Sequence, residues 1–454
     1  MSLATQEVRF SQSRERVSVC DSRGRWLAIN KWNRLGSSFE GDDTGVQERL
    51  LESAERLVET LNEYGYPVYI VGGTLLGAMR DGRLMPHDDD IDLAFLCDEK
   101  SPIDIGLESM RMQRELEREG YFPVRHSHTH LQVTFFREDG STDHYIDIFT
   151  GFLEEDLDGT PLYSQPFALR GPEVTREDLL PVQNMEIDGH ILPAPANPEA
   201  WLAYAYGENW RIPDPSFVFE TPSSTGRRFN NWFGVFNKKR VYWEKNFEKQ
   251  SRRRVALKRE PSAVKFLGLI PPSSNVVDLG CGDGSVTQQI ANAGHRVIGV
   301  DYSYEALRLA RAESSHDIEY RYVNMNDRRA LLEFAVELIK TRKVWYFYMG
   351  DSIQGITRAD RRNVYLFIRE VLRGPAFAFM AFDTNLPEAY THADPTTWHY
   401  PIPSAKREAK RFGLKARVVA EGGTRESEWG TRTRAAVTVR KKKTRIDLRS
   451  TREY

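Results

Sequence analysis

Asp88, Asp89, Asp90 and Asp92 stand close behind the pair Gly72-Gly73, and the two groups together suit phosphate and metal chemistry. In an extended segment side chains alternate, so Asp88, Asp90 and Asp92 share one face while Asp89 and Ile91 point the other way. Three like charges on one face repel. A hard, oxygen-seeking cation such as Mg²⁺ relieves that repulsion, and Mg²⁺ works with one or two carboxylates plus substrate phosphates. Upstream, Ile70 and Val71 end an apolar run that reads as a strand. Gly72 and Gly73 then allow close backbone approach, and the free N–H groups at the start of the next helix can face a phosphate. The group bound there is expected to be anionic.

A second pattern begins at Asn275. Asn275-Val276-Val277-Asp278-Leu279 reads as a strand that breaks into Gly280-Cys281-Gly282-Asp283-Gly284, with a helix from Ser285. A further strand, Arg296–Val300, ends in Asp301. The glycines let backbone approach a ligand, and an acid at the end of the next strand suits ribose hydroxyls. On spacing alone a dinucleotide fits too. Cys281 reads as a small buried side chain rather than a reactive thiol. After an expected fourth strand, Val344–Met349, Asp351 is the leading candidate to face a substrate. His399 is a candidate general base, although a plain loop position is the favoured reading for it.

Both patterns resemble known families. Gly-Gly-Thr-Leu-Leu-Gly-x-x-Arg (72–80) followed by Pro-x-Asp-Asp-Asp-Ile-Asp (86–92) resembles the LicD/fukutin family, a branch of the nucleotidyltransferase fold. Tyr145-Ile146-Asp147-Ile148-Phe149 supplies the third acid that fold carries. Leu192–Pro195, Trp201-Leu202 and Tyr206–Trp210 with Pro213 resemble its closing segment, so the resemblance covers residues 55–215 in outline. His87 departs from the Trp more usual there. Such enzymes move a phosphorylated alcohol, for example phosphocholine or ribitol phosphate, from a CDP-linked donor to a glycan hydroxyl. The resemblance implies Mg²⁺ or Mn²⁺ on Asp90 and Asp92, with Asp88 assisting. Asp147 would orient or deprotonate the acceptor or bind a second metal. Gly72, Gly73, Thr74 and Arg80 would hold the substrate, though Arg80 is also readable as a surface cap. Acid runs are most often solvated turns. The Gly-Gly lead, the strand context and Asp147 weigh against that reading here.

Val-Asp-Leu-Gly-Cys-Gly-Asp-Gly (277–284) with Gly299-Val300-Asp301 resembles class I S-adenosylmethionine methyltransferases. That implies Asp278, Gly280, Cys281, Gly282 and Gly284 at the methionine and ribose end and Asp301 on the ribose hydroxyls. Tyr302 would flank the adenine, with Asn326 or Asp327 near its amino group. No Asn-Pro-Pro-Tyr follows Met349, which argues against methylation of a nucleic-acid base.

The elements that must position these residues follow from pattern. A helix over 46–64 keeps Leu50, Leu51, Ala54, Leu57, Val58 and Leu61 at helical spacing. A hairpin is expected from Val17–Cys20 and Trp26–Ile29. The expected division is an extension (1–45), a LicD-like α+β domain (46–225), a basic lead-in (226–260), a Rossmann-like doubly wound methyltransferase domain (261–445) and a tail (446–454), α/β overall. The segment Asn237–Glu260, basic and interleaved with Val241, Tyr242, Trp243 and Phe247, suits a membrane surface or a nucleic acid. Helices that cover S-adenosylmethionine are the favoured reading. His126, His128 and His130 could share a strand face as metal ligands, but a polar lead-in to the strand Leu131–Phe136 is preferred. With 454 residues, net charge −2 and three cysteines without metal spacing, the chain is expected to be a two-domain cytoplasmic enzyme. Its expected partners are a CDP-alcohol and a glycan or lipid-linked glycan rather than nucleic acid, with peripheral contact at the inner membrane face left open. Loss of catalysis in one domain, leaving a glycan-binding scaffold, and nucleotidyl transfer to a small molecule or protein are the alternatives.

Overall fold

The computed structural model describes residues 19–20, 27–29, 35–37, 45–85, 88, 90–165, 169–214, 217, 221–251, 260–314, 318–428 and 430–442. They fall into two compact units, one within residues 1–137 and 142–234, the other within 138–141 and 235–454.

The first unit is built on a mixed sheet. Its path runs Val68–Ile70, Ile91–Cys97, Thr142–Glu155, His130–Phe136 and Pro123–Ser127. Pro161–Gln165 and Leu169–Gly171 extend it beside the far half of the long Thr142–Glu155 strand. Ile91–Cys97 and Thr142–Glu155 run parallel, in a register that sets Asp92 beside Asp147. Helix Val46–Glu63 buries the six apolar residues its spacing selects, each worth roughly 1.5–3 kcal/mol for the larger side chains. The strand, Gly-Gly turn and helix appear as Val68–Ile70 and Gly72–Asp81.

Three expectations change. The acidic strand starts only at Ile91, so Asp88 lies ahead of it in a turn, its N–H donating to the Met85 carbonyl at 3.0 Å. The alternation that grouped Asp88 with Asp90 and Asp92 therefore does not apply to it. His87 and Asp89 lie outside the described residues. Near the N-terminus, Leu27–Ile29 pairs with Leu35–Ser37, while the Leu27 N–H also reaches the Val19 carbonyl at 2.7 Å. The turn expected at 21–24 lies outside the described residues. The first unit also runs past the expected boundary at 225, to Gly234. Helix Ser223–Phe233 spans that boundary, and Phe229 and Phe233, one helical turn apart, pack on Phe152 at 6.1 and 5.6 Å between ring centroids.

The second unit is doubly wound. Its seven strands lie in the order Glu319–Tyr322, Arg296–Asp301, Asn275–Leu279, Trp345–Gly350, Ala378–Asp383, Gly430–Lys441, Leu414–Ser427. The first five are parallel, Gly430–Lys441 runs antiparallel to them, and Leu414–Ser427, antiparallel to Gly430–Lys441, returns to their direction. Strand order reverses on the two sides of Asn275–Leu279, which opens a crevice at its carboxyl end. The basic segment supplies helix Arg240–Ser251, with 252–259 outside the described residues, as is the tail from 443. Among the described residues no helix is long and apolar enough to cross a membrane.

Candidate active sites

In the first unit the polypeptide grips Asp92 on both sides. The Val71 N–H donates to the Asp92 carbonyl at 2.9 Å, and the Asp92 N–H donates to Thr74 Oγ1 at 3.0 Å. Thr74 is fully buried and spent on this clamp, which corrects its expected role in holding substrate. Gly72 adopts φ +61°, and a Cβ there would sit 2.4 Å from Asp92 Oδ2. A Cβ on Gly73 would sit 2.2 Å from Asp88 Oδ2. Both glycines are required so that carboxylates can press against the start of the helix.

Asp90, Asp92 and Asp147 converge. All three are buried, and each offers a carboxylate oxygen within 4.8 Å of the others. Among the described residues this is the one cluster of three or more such groups with metal-ligand spacing. An all-oxygen set pressed into a glycine-made cradle fits a hard divalent cation such as Mg²⁺ or Mn²⁺. Asp88 lies beside this cluster at Gly73 rather than within it.

Around Asp147 the structure brings in side chains that the sequence reading set aside. Gln132 lies directly across from it in the sheet and donates from Nε2 to Oδ1 at 3.2 Å. His130 Nε2 lies 3.2 Å from the same oxygen. Burial alone raises the Asp147 carboxyl, but the His130 and His126 rings and the Gln132 amide outweigh it and hold it below the usual carboxylate range. His130 and His126 are therefore buried parts of the site rather than a polar lead-in, while His128 is only partly buried in the turn between their strands. Polar His130, Gln132 and Thr134 alternate with apolar Leu131, Val133 and Phe135, a signal already present in the sequence.

Arg80 sits at the far end of the Gly72–Asp81 helix, eight residues or about 12 Å along its axis from Gly72. Its guanidinium donates to the carbonyls of Trp210 and Ile212. It ties down the closing segment and is not turned to a phosphate near Gly72.

In the second unit Gly280, Gly282 and Gly284 form the turn after Asn275–Leu279, with Gly280 at φ +78° and Gly284 capping helix Ser285–Asn292. Asp301, at the end of Arg296–Asp301, accepts from the Gly282, Tyr302 and Ser303 N–H groups at 3.0, 2.7 and 3.0 Å. Burial still pushes it up to about 6. Asp278 accepts from Thr287 Oγ1 at 2.7 Å, and burial, with Asp301 and Asp283 adding, pushes it up to about 7. Burial likewise pushes the Cys281 thiol well above its ordinary range, so it is inert at neutral pH.

Helix Arg240–Ser251 covers this turn. A Cβ on Gly282 would meet Phe247 at 3.1 Å, and Glu244 accepts from Ser303 Oγ and the Tyr304 and Glu305 N–H groups at 2.7, 2.9 and 3.0 Å. Tyr242 donates to Asp394 at 2.6 Å. Its aromatic residues are thus engaged within the unit, as a covering helix requires.

The expected adenine contacts are rearranged. Asp327 caps helix Arg328–Lys340 through Oδ1, which accepts from the Arg329 and Ala330 N–H groups at 2.8 and 3.4 Å. Asn326, together with Asn324, donates to the Phe236 carbonyl, and Tyr302 donates to the Lys238 carbonyl at 3.0 Å. Asp351, at φ +60°, ends the fourth strand paired with Arg425 at 3.2 Å and with Arg434, which also bridges to buried Asp383 at 3.0 Å. His399 is half-buried, and burial followed by the Arg432 and Arg361 charges keeps it below the ordinary imidazole range.

Comparison with known proteins identifies a domain type in each half of the chain. The profile described as LicD/FKTN/FKRP, nucleotidyltransferase domain, matches residues 65–197, and a methyltransferase domain profile matches 276–373. The chain is a fusion of a LicD-type domain with a methyltransferase. It is an enzyme of the transferase class. Among solved structures, an S-adenosylmethionine-dependent methyltransferase from Anabaena variabilis is 16% identical, covering 44% of this chain and 94% of its own, with TM-score 0.37. The glycopeptide N-methyltransferase MtfA is 19% identical over 40% of this chain and 94% of its own, with TM-score 0.31. Phosphoethanolamine N-methyltransferase 2 of Haemonchus contortus is 13% identical over 40% and 51%, with TM-score 0.29. A comparison with curated proteins gives no match.

Proposed function

We propose that the LicD domain transfers a phosphorylated alcohol from a CDP-linked donor to a glycan hydroxyl, and that the methyltransferase domain methylates the same glycan or the group just added. The observation that carries the first half is the convergence of Asp90, Asp92 and Asp147 beneath the glycine-opened start of a helix. In the reaction the acceptor oxygen bonds to the distal phosphorus, the bond from that phosphorus to the CMP oxygen breaks, CMP leaves with the electron pair, and the hydroxyl proton passes to water. A Mg²⁺ or Mn²⁺ held by the three aspartates would neutralise diphosphate charge as CMP departs. The protein's own part is positioning: the Val71 and Thr74 contacts fix Asp92, and Gly72 and Gly73 let the Asp92 and Asp88 carboxylates sit against the start of the helix, where the diphosphate charge would be met.

In the methyltransferase domain the Gly280–Gly284 turn and Asp301 hold the nucleoside of S-adenosylmethionine, which supplies the methyl group when bound. Asp351, steadied by Arg425 and Arg434, faces the acceptor, and His399, neutral at pH 7, is the candidate base for its proton. Covalent linkage keeps two activities at high effective concentration, which is useful when one molecule visits both. The protein is read as acting at the cytoplasmic side, with peripheral contact where its acceptor is lipid-linked.

The test is incubation with a panel of CDP-alcohols and S-adenosylmethionine, following CMP release and methyl transfer. Release of pyrophosphate instead of CMP would replace this reading with nucleotidyl transfer. Mass spectrometry of glycans from cells carrying Asp90→Asn or Asp301→Ala separately should show phosphoryl and methyl losses on one species. Losses on unrelated molecules would contradict a shared product.

A further inference from the structure

His130 and Gln132 come from a strand that neither sequence motif includes, yet both end on one atom of the acidic cluster. Gln132 Nε2 donates to Asp147 Oδ1 at 3.2 Å, and His130 Nε2 stands 3.2 Å from that same oxygen. The sheet register makes this unavoidable, because Gln132 is the direct cross-strand partner of Asp147 and His130 that of Phe149. Neither side chain has room to swing away. His130 is 6% exposed and Gln132 9%. The His130 ring lies 4.5 Å from Phe149 at 30° and 4.6 Å from His126 at 63°, held between two neighbouring rings. Polar residues on a buried sheet face often serve only to satisfy one another. Here the pair converges on a carboxylate whose other neighbours are Asp90 and Asp92, within 4.8 Å.

We infer that Gln132 and His130 are positioning residues for the divalent cation, Gln132 through its hydrogen bond to Asp147 Oδ1 and His130 through its ring nitrogen lying against the same oxygen, so that the carboxylate keeps one orientation toward Asp90 and Asp92. A carboxylate with both oxygens at liberty can rotate between one-oxygen and two-oxygen binding. One that is hydrogen-bonded on a chosen oxygen cannot, and partners of this kind commonly govern metal affinity by about 10–100-fold. The inference rests on the metal-dependent reading of the LicD domain, and the experiment separates the two.

Mn²⁺ alone is titrated into the full-length protein and the free-ion signal is followed by electron paramagnetic resonance, with no substrate present. Wild type should bind Mn²⁺ and Asp90→Asn should not. His130→Ala and Gln132→Leu should each weaken binding by about 10–100-fold. His130→Gln, which keeps an N–H group near Asp147 Oδ1, should recover most of the loss, a rescue that a purely structural role would not give. Circular dichroism and a cooperative melt identify the variants that fold. Mn²⁺ affinity that depends on Asp90 but is unchanged in a folded His130→Ala or Gln132→Leu protein would overturn the positioning role alone. Absence of Mn²⁺ binding by wild type would overturn it together with the metal reading.

Discussion

The two catalytic regions use buried aspartates in opposite ways. In the LicD domain Asp90, Asp92 and Asp147 face one another within 4.8 Å, so their charges add at one point. In the methyltransferase domain each aspartate is met by donors of its own: Asp301 by three backbone N–H groups and Asp278 by the Thr287 hydroxyl. Converging carboxylates make a place for a cation. Carboxylates matched one by one to donors make a polar wall for a neutral ribose, and burial then drives their proton affinity up. On the proposed reading, the same residue type, equally buried, serves metal chemistry or nucleoside recognition according to what faces it.

The largest expected effect that would break this contrast lies in the cluster. Asp92→Asn removes one of three charges from a cation site and should lower CMP release by about a hundredfold or more. Calorimetric binding of S-adenosylmethionine by the same protein should be unchanged, and a parallel loss in both assays would show that the two sites are not separable. Next in size, Asp301→Ala should weaken S-adenosylmethionine by roughly 1–3 kcal/mol while CMP release continues at the wild-type rate.

A smaller effect comes from pH. Asp278 and Asp301, pushed up to about 7 and about 6 by burial, keep their protons in the folded chain where the unfolded chain has already released them, near pH 4 by the ordinary value of about 3.9. Protons are then bound more by the folded state, so the stability of the ligand-free methyltransferase domain should fall as pH rises from about 4 to about 7. Melting curves of the full chain across that range, compared with Asp278→Asn, check the sign. Binding of S-adenosylmethionine should strengthen as pH rises through about 6, because its hydroxyls need an ionised Asp301.

The smallest concerns Arg80. Tied to the Trp210 and Ile212 carbonyls and partly exposed, it should on change to Ala cost roughly 0.5–1.5 kcal/mol of stability. The KM for a CDP-alcohol should stay at its wild-type value in the protein that remains folded. A raised KM without destabilisation would restore the phosphate-clamp reading.

What the sequence made legible was local. A strand breaking at Gly72-Gly73, another at Gly280, and an acid ending the strand after it are short patterns with short-range causes, and the structure has each of them. Contacts made by strand register were not legible in the same way. That Gln132 lies opposite Asp147 depends on how two strands slide past each other, although alternation of polar and apolar residues over His130–Phe136 already marked a buried polar face. Thr74, Arg80 and Asp327 show how a motif residue can be occupied by the fold itself. Each is a polar residue in or beside a motif, and each is spent on backbone groups that folding leaves without partners: the Asp92 N–H, the Trp210 carbonyl and the first N–H groups of a helix. Motif membership alone does not separate a residue that touches substrate from one that holds the chain which does.

The roles proposed for Asp90 and Asp301 bear on why the two domains share a chain, and the proposed cation site at Asp90, Asp92 and Asp147 is the part of the account most open to test. The most direct measurement is CMP release from CDP-alcohols by wild type and Asp90→Asn in Mg²⁺, with and without chelation. The expected result is turnover by wild type that chelator abolishes and added Mg²⁺ or Mn²⁺ restores, with Asp90→Asn slower by about a hundredfold or more. Wild-type turnover by Asp90→Asn, or CMP release indifferent to chelator, would contradict the account.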